Sequence, residues 1–174
     1  MIILGIDPGT ATTGYGLLKV NKRKKEFELL KFGWIKTPKE MKTEKRLDMI
    51  YKEMLGLLKN HKPDVLSIER LFFATNVKTA IGVSEATGVI RLSAARRKIP
   101  VVDYAPMQIK LVVAGSGRAD KKKMKKEVRK LLNFRSPKRK KTHFDDVCDA
   151  LAVAICHARK SVLNLEKKGG GQSG

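Results

Sequence analysis

Cysteine is scarce in this sequence, acids are few, and no apolar run is long. The two cysteines among 174 residues are Cys148 and Cys156. Eight residues apart on one predicted helix, they stand about 12 Å apart along its axis, too far for a disulfide and too few for a zinc site. They read as core fillers of a protein kept in a reducing cytosol. No apolar stretch approaches the ~20 residues that span a bilayer. The opening run Met1-Ile2-Ile3-Leu4-Gly5-Ile6 lacks a basic segment ahead of it and meets Asp7 at once, unlike a signal peptide. Asp plus Glu total 17 against 38 Lys plus Arg, a formal net charge of +21. Such an excess destabilises the compact state by self-repulsion unless a polyanion screens it. With membrane insertion excluded, nucleic acid is the partner that the charge favours.

What is present suffices for one folded domain, because 42% of residues are hydrophobic. The domain is expected over residues 1–164, with a basic, glycine-rich and disordered tail at 165–174. Ile2 to Asp7 is a short apolar run closed by the turn-forming Asp7-Pro8-Gly9-Thr10. Thr13 to Val20 and Phe27 to Ile35 read as two further strands, joined by the basic hairpin tip Asn21-Lys22-Arg23-Lys24-Lys25. Leu47, Ile50, Tyr51, Met54 and Leu58 then recur at helical spacing. Val65 to Glu69 is a strand ending on a carboxylate, residues 77–97 a long helix, and Ile99 to Tyr104 another strand. Pro106 suits the first turn of a helix, and Asp120 can cap the next one, with core stripe Met124, Val128, Leu131 and Leu132. A last helix is expected over 144–164. Strands first, then alternating helices and strands, describe an α/β layer with a mixed sheet.

Four carboxylates stand out by position. Asp7 and Glu69 end strands, and Asp146 and Asp149 lie three apart on one side of the last helix. Each alone could be a turn or cap residue. Together they adjoin the apolar runs most apt to be buried. Buried like charges repel and stay protonated unless a cation joins them, and oxygen donors favour hard ions such as Mg²⁺ or Mn²⁺. Such ions, two about 3.5–4 Å apart, suit phosphodiester hydrolysis.

The motifs Ile3-Leu4-Gly5-Ile6-Asp7-Pro8-Gly9-Thr10 with Thr13-Gly14-Tyr15-Gly16, Ser67-Ile68-Glu69-Arg70-Leu71-Phe72, and Asp146-Val147-Cys148-Asp149-Ala150-Leu151-Ala152 resemble the RuvC family of Holliday-junction resolvases. The resemblance runs from residue 1 to about 160. It implies a ribonuclease-H-like mixed β-sheet flanked by α-helices, and a homodimer that nicks two opposing strands of a four-way DNA junction. Asp7, Glu69, Asp146 and Asp149 would be both catalytic and metal ligands, holding two Mg²⁺ per site, with Mn²⁺ able to substitute. Lys110 and Lys121 match the family's phosphate-binding lysines. Phe72 or Phe73 would stack on unpaired bases, and Arg70 and Asn76 would add DNA contacts. Asp145 is expected to be a solvent or cap residue, and His143 either aids proton transfer or is a plain first-turn polar residue. The resemblance also implies a branch-migration motor as partner and a cytoplasmic, nucleoid-associated location. Two rivals are a related nuclease acting on RNA–DNA hybrids or pre-ribosomal RNA, and a non-catalytic DNA-binding protein whose acids only fix the fold.

The charge generates one prediction directly. If 6–10 phosphates are neutralised, junction affinity measured by fluorescence anisotropy should fall about 10³–10⁵-fold between 50 and 200 mM salt. A nearly flat salt dependence would remove nucleic acid as the partner of the basic surface.

Overall fold

The computed structural model describes residues 1–70, 77–133 and 143–169. In chain order the elements are β1 (Ile2–Asp7), β2 (Thr12–Asn21), β3 (Glu26–Lys36), α1 (Thr43–His61), β4 (Val65–Glu69), α2 (Val77–Arg96), β5 (Val101–Tyr104), α3 (Pro106–Ala114), α4 (Lys121–Leu132) and α5 (Phe144–Gly169). The strands form one five-stranded sheet in the order β3-β2-β1-β4-β5. β1 to β3 are an antiparallel meander, whereas β4 runs parallel to both β1 and β5. This is the mixed sheet expected from the sequence, with helices on both faces. Among the described residues no helix is long and apolar enough to cross a membrane.

Period-two alternation divides each inner strand between two cores. Ile3 and Val65 face the layer of α3, α4 and α5, while Leu4, Ile6, Leu66 and Ile68 face the layer of α1 and α2. α5 is the central helix. Val147, Ala150, Leu151, Val153, Ala154, Ile155 and Cys156 are fully buried. A helix apolar on nearly all sides belongs inside. Both cysteines are free and buried in that core, as expected.

Glycines set how near α5 comes to the sheet. A Cβ on Gly5 would lie 2.2 Å from the Ala150 carbonyl oxygen, and one on Gly14 2.2 Å from the Asp146 carbonyl oxygen. Gly16, the register partner of Gly5, makes room instead for the Leu151 side chain, whose Cδ2 would lie 2.3 Å from a Cβ there. Asp146, Ala150 and Ala154 form one i, i+4 row, and that row lies on a floor of bare backbone.

Several boundaries differ from expectation. β5 starts at Val101 rather than Ile99, because Lys98 takes a left-handed φ of 54° and the Ile99 N–H donates back to the Ala94 carbonyl at 3.0 Å. That is a Schellman stop to α2, and it uses the residue that would have begun the strand. α5 runs to Gly169, past the expected helix end at 164. Glu166, Lys167 and Lys168 favour helix, and no breaker precedes the glycines. Residues 170–174 of the expected tail lie outside the described residues. The Asp120 cap is as expected, its carboxylate accepting from the Lys123 N–H at 2.7 Å.

Gly5→Ala should destabilise the protein by about 1–3 kcal/mol, since backbone and not a flexible side chain would have to yield. Gly56, inside α1 with nothing within 4 Å of its missing Cβ, is the control. Its alanine variant should be neutral or stabilised by about 0.5–1 kcal/mol. Urea midpoints for the pair would test the seating of α5, and equal midpoints would refute it.

Candidate active site

The sheet register brings two of the acids together before any helix is considered. Ile6 pairs with Ile68 across parallel β1 and β4, so Asp7 and Glu69 are the next residues on neighbouring strands, roughly 4.8 Å apart across the sheet. Both extend the rows that face α5. On the other side of β1, Asp7 pairs with Gly14, the glycine on which the Asp146 backbone rests. Asp146 is thereby seated over the strand next to Asp7, and Asp149 follows almost one helical turn later. All four acids line one cavity of about 470 Å³ at the carboxyl ends of β1 and β4.

Lys110 of α3, Lys121 of α4 and Arg70 at the exit of β4 line the same cavity. The Lys121 ammonium lies 3.9 Å from the Asp149 carboxylate. The Arg70 backbone N–H donates to the Tyr104 carbonyl at 2.8 Å, continuing the sheet past Glu69. Phe72, Phe73 and Asn76 lie outside the described residues.

Burial dominates the electrostatics. It pushes Asp7 up to about 8, with Asp149, Glu69 and Asp146 adding to the rise and Lys121 opposing it. Glu69 is raised by burial and then by Asp149, against Lys110 and Lys121. Asp149 is raised by burial, with Lys121 the largest opposing charge. Asp146 is also raised by burial, with His143 the largest opposing influence. Among the described residues no three Asp, Glu, His or Cys side chains already stand at metal-ligand spacing.

Two neighbours of the acids are placed more sharply than the sequence allowed. His143 Nδ1 is 3.8 Å from an Asp146 carboxylate oxygen, and its ring lies tilted against Trp34 at 5.5 Å between centroids. The Asp145 side chain is half-exposed, in keeping with the solvent-facing reading. It pairs with Lys125 at 2.5 Å and ties α5 to α4. Thr13 had no assigned role. Fully buried, it donates its hydroxyl to the Gly9 carbonyl at 2.8 Å and braces the turn that follows Asp7. A threonine where β2 alternation calls for an apolar residue was the available signal.

A family model described as crossover junction endodeoxyribonuclease RuvC matches residues 3–157. The chain belongs to the RuvC family. A crossover junction endodeoxyribonuclease RuvC of Alkaliphilus oremlandii is 49% identical over 159 residues, covering 91% of this chain and 93% of that protein. Its counterpart from Thermotoga petrophila is 44% identical over 161 residues, covering 92% and 94%. The structure of Thermus thermophilus RuvC in complex with Holliday junction substrate superimposes with a TM-score of 0.84 at 30% identity, covering 94% of this chain and 96% of that one. The yeast mitochondrial Holliday junction resolvase, at 16% identity and a TM-score of 0.71 over 95% of this chain and 81% of that one, shares the fold.

The raised acids give the pH dependence a definite sign. Asp7 holds its proton in the native state up to about pH 8 but loses it near 3.8 when unfolded. Between those values the native state binds more protons, so stability without divalent ions falls as pH rises from about 4 towards 8. Asp7→Asn removes this group. Denaturation in chelator should show the variant gaining on the parent protein with rising pH, by more than about 1.4 kcal/mol at pH 8, the worth of one pKa unit. Parallel stability curves between pH 5 and 8 would contradict the burial of Asp7 among like charges.

Proposed function

We propose that this RuvC-family chain acts as a homodimeric, divalent-metal-dependent endonuclease that nicks two opposing strands of a four-way DNA junction. The observation that carries the reading is the convergence of Asp7, Glu69, Asp146 and Asp149 with Lys110 and Lys121 on one cavity.

The donors suit a hard divalent cation. They are four carboxylates with no thiol lining the cavity, and their burial among like charges is what such a cation would offset. Asp7, Glu69, Asp146 and Asp149 would hold two Mg²⁺, or Mn²⁺ in their place. The chemistry such ions would supply there is activation of a water and stabilisation of charge on the leaving 3′ oxygen. The protein's own groups do the rest. Lys110 and Lys121 hold the non-bridging oxygens of the scissile phosphate and offset the charge that grows in the transition state. Arg70 meets the strand as it leaves the cavity. Phe72 or Phe73 stacks on an unpaired base and Asn76 adds a polar contact, both in the segment that follows Arg70. Water adds to phosphorus as the bond to the 3′ oxygen breaks, leaving a 5′-phosphate and a 3′-hydroxyl that a ligase can join.

Two-fold symmetry matches enzyme to substrate, since a junction offers two equivalent strands and a dimer two equivalent sites. α2 supports the pairing. Ile81 and Leu92 are 55% and 50% exposed, and Gly88 has open space where its Cβ would be. These three fall within about 40° around the helix. The reading extends to a branch-migration motor as partner and to a nucleoid-associated place in the cytoplasm.

A synthetic junction incubated with and without Mg²⁺, with cuts mapped on all four strands, tests the proposal. Symmetric nicks on two opposing strands are expected, only when the ion is present. Asp7→Asn should lower cleavage by ~10³–10⁴-fold, the scale at which removal of a reacting-site group is felt, while binding stays intact or tightens. A junction left whole in both Mg²⁺ and Mn²⁺, with an RNA–DNA hybrid cut instead, would overturn the substrate assignment.

A further inference from the structure

The β1–β2 loop has a second side. Behind the acid cavity lies another depression of about 480 Å³, lined by Thr10, Thr12, Thr43, Arg46, Glu85 and Asp146. Asp146 lines both hollows, so the second begins where the catalytic one ends.

Arg46 is held in this depression by a relay of hydrogen bonds. Thr37, 2% exposed, donates its hydroxyl proton to the Thr10 carbonyl at 2.5 Å and accepts the Arg46 Nε–H at 2.8 Å. With its one proton committed to Thr10, the hydroxyl can only accept from the arginine. The relay therefore fixes the direction of the guanidinium. Its two terminal nitrogens have no hydrogen-bond or ion-pair partner among the described residues. The loop beneath is rigid, tied by the Thr37 N–H to the Ala11 carbonyl at 3.1 Å and by Thr13 to Gly9. Gly82 of α2 packs against the Thr10 hydroxyl, where a Cβ would come to 2.8 Å, and Val83 and Glu85 of α2 line the same depression. Thr43 opens the 19-residue α1, whose N-cap residue Lys42 makes no side-chain cap bond.

A planar fork with free donors, three hydroxyls and an uncapped helix start suit an anion with several oxygens. Glu85 and Asp146 are the acids facing them. We propose that Arg46, with Thr10, Thr12 and Thr43, holds a backbone phosphate neighbouring the scissile one, so that the cut strand is gripped on both sides of Asp146. This rests on the junction-cleaving reading above. The bland rival is that Arg46 merely balances Glu85 and Asp146.

Junction affinity against salt separates the two. In the Asp7→Asn background, Arg46→Gln should weaken binding about tenfold and reduce the slope of log Kd against log salt by about 0.9, the worth of one phosphate contact. Arg46→Lys should keep the slope and lose part of the affinity, because the bond to Thr37 goes while the charge stays. A charge-balancing role would shift the thermal midpoint of Arg46→Gln and leave the slope alone, which would overturn the proposal. Should Arg46→Gln fail to fold, Thr43→Glu decides. An acid in the first turn favours α1, so stability should hold or rise while junction binding weakens. Unchanged binding by that variant would also overturn it. The unmodified protein is the reference. If it cuts the junction while these variants bind normally, the subsite is wrong and the function stands. If it neither binds nor cuts, the functional reading fails and takes the subsite with it.

Discussion

α5 rests directly on glycine backbone of β1 and β2, and the meeting of the four acids depends on that contact. Asp146 rests on Gly14, Ala150 on Gly5 and Leu151 on Gly16. Because Gly14 is the register partner of Asp7, the seating that excludes a Cβ also fixes which carboxylates meet. The force holding them is not their own. Asp7, Glu69, Asp146 and Asp149 are all shifted toward their neutral forms by burial, so their gathering is unfavourable. It is overcome by the fully buried aliphatic face of α5, where each large side chain contributes about 1.5–3 kcal/mol. Leu151, Val153 and Ile155 alone offset several kcal/mol of like-charge strain. The core compels the site to form.

The lysines are positioned by equally ordinary packing. Lys121 is the first residue of α4, whose start is set by the Asp120 cap and whose rotation is set by Met124, Val128 and Leu132 in the core. That rotation leaves the ammonium at the cavity mouth beside Asp149. Asp145 and Lys125 then pair across α4 and α5, linking the helix that bears the lysine to the helix that bears the acids. A protein of net charge +21 thus keeps its anionic pocket under a basic rim. An approaching polyanion would meet that rim first, and the pocket alone would repel it.

Much of this was legible in the sequence because strands and acids leave local marks. β1 and β4 read true to the residue, since each is an apolar run stopped by a carboxylate. The convergence of the four acids followed from their placement beside those runs. The glycines carried no such mark. Gly14 and Gly16 weaken a strand when read locally, and their reason is a helix far along the chain. The Asp145–Lys125 pair was hidden for the same cause, because neither residue's pattern shows how α4 lies against α5. β5 lost its first residues to the Schellman stop of α2, which requires a left-handed lysine that no composition rule would place at Lys98. Features that depend on one element were readable. Those created by two elements meeting were not.

The turn after Asp7 shows why buried threonines stand where valine would pack as well. Thr13 and Thr37 each give a hydroxyl proton to a loop carbonyl, at Gly9 and Thr10. A buried hydroxyl without a partner would cost about 1–3 kcal/mol, so each threonine is tolerable only while the loop keeps this shape. The loop that follows Asp7 is thereby pinned from both flanks. A valine at either position would keep the core and free the loop. The turn would then lose its fixed shape, and the end of β1 that carries Asp7 would be held by its pairing with β2 and β4 alone.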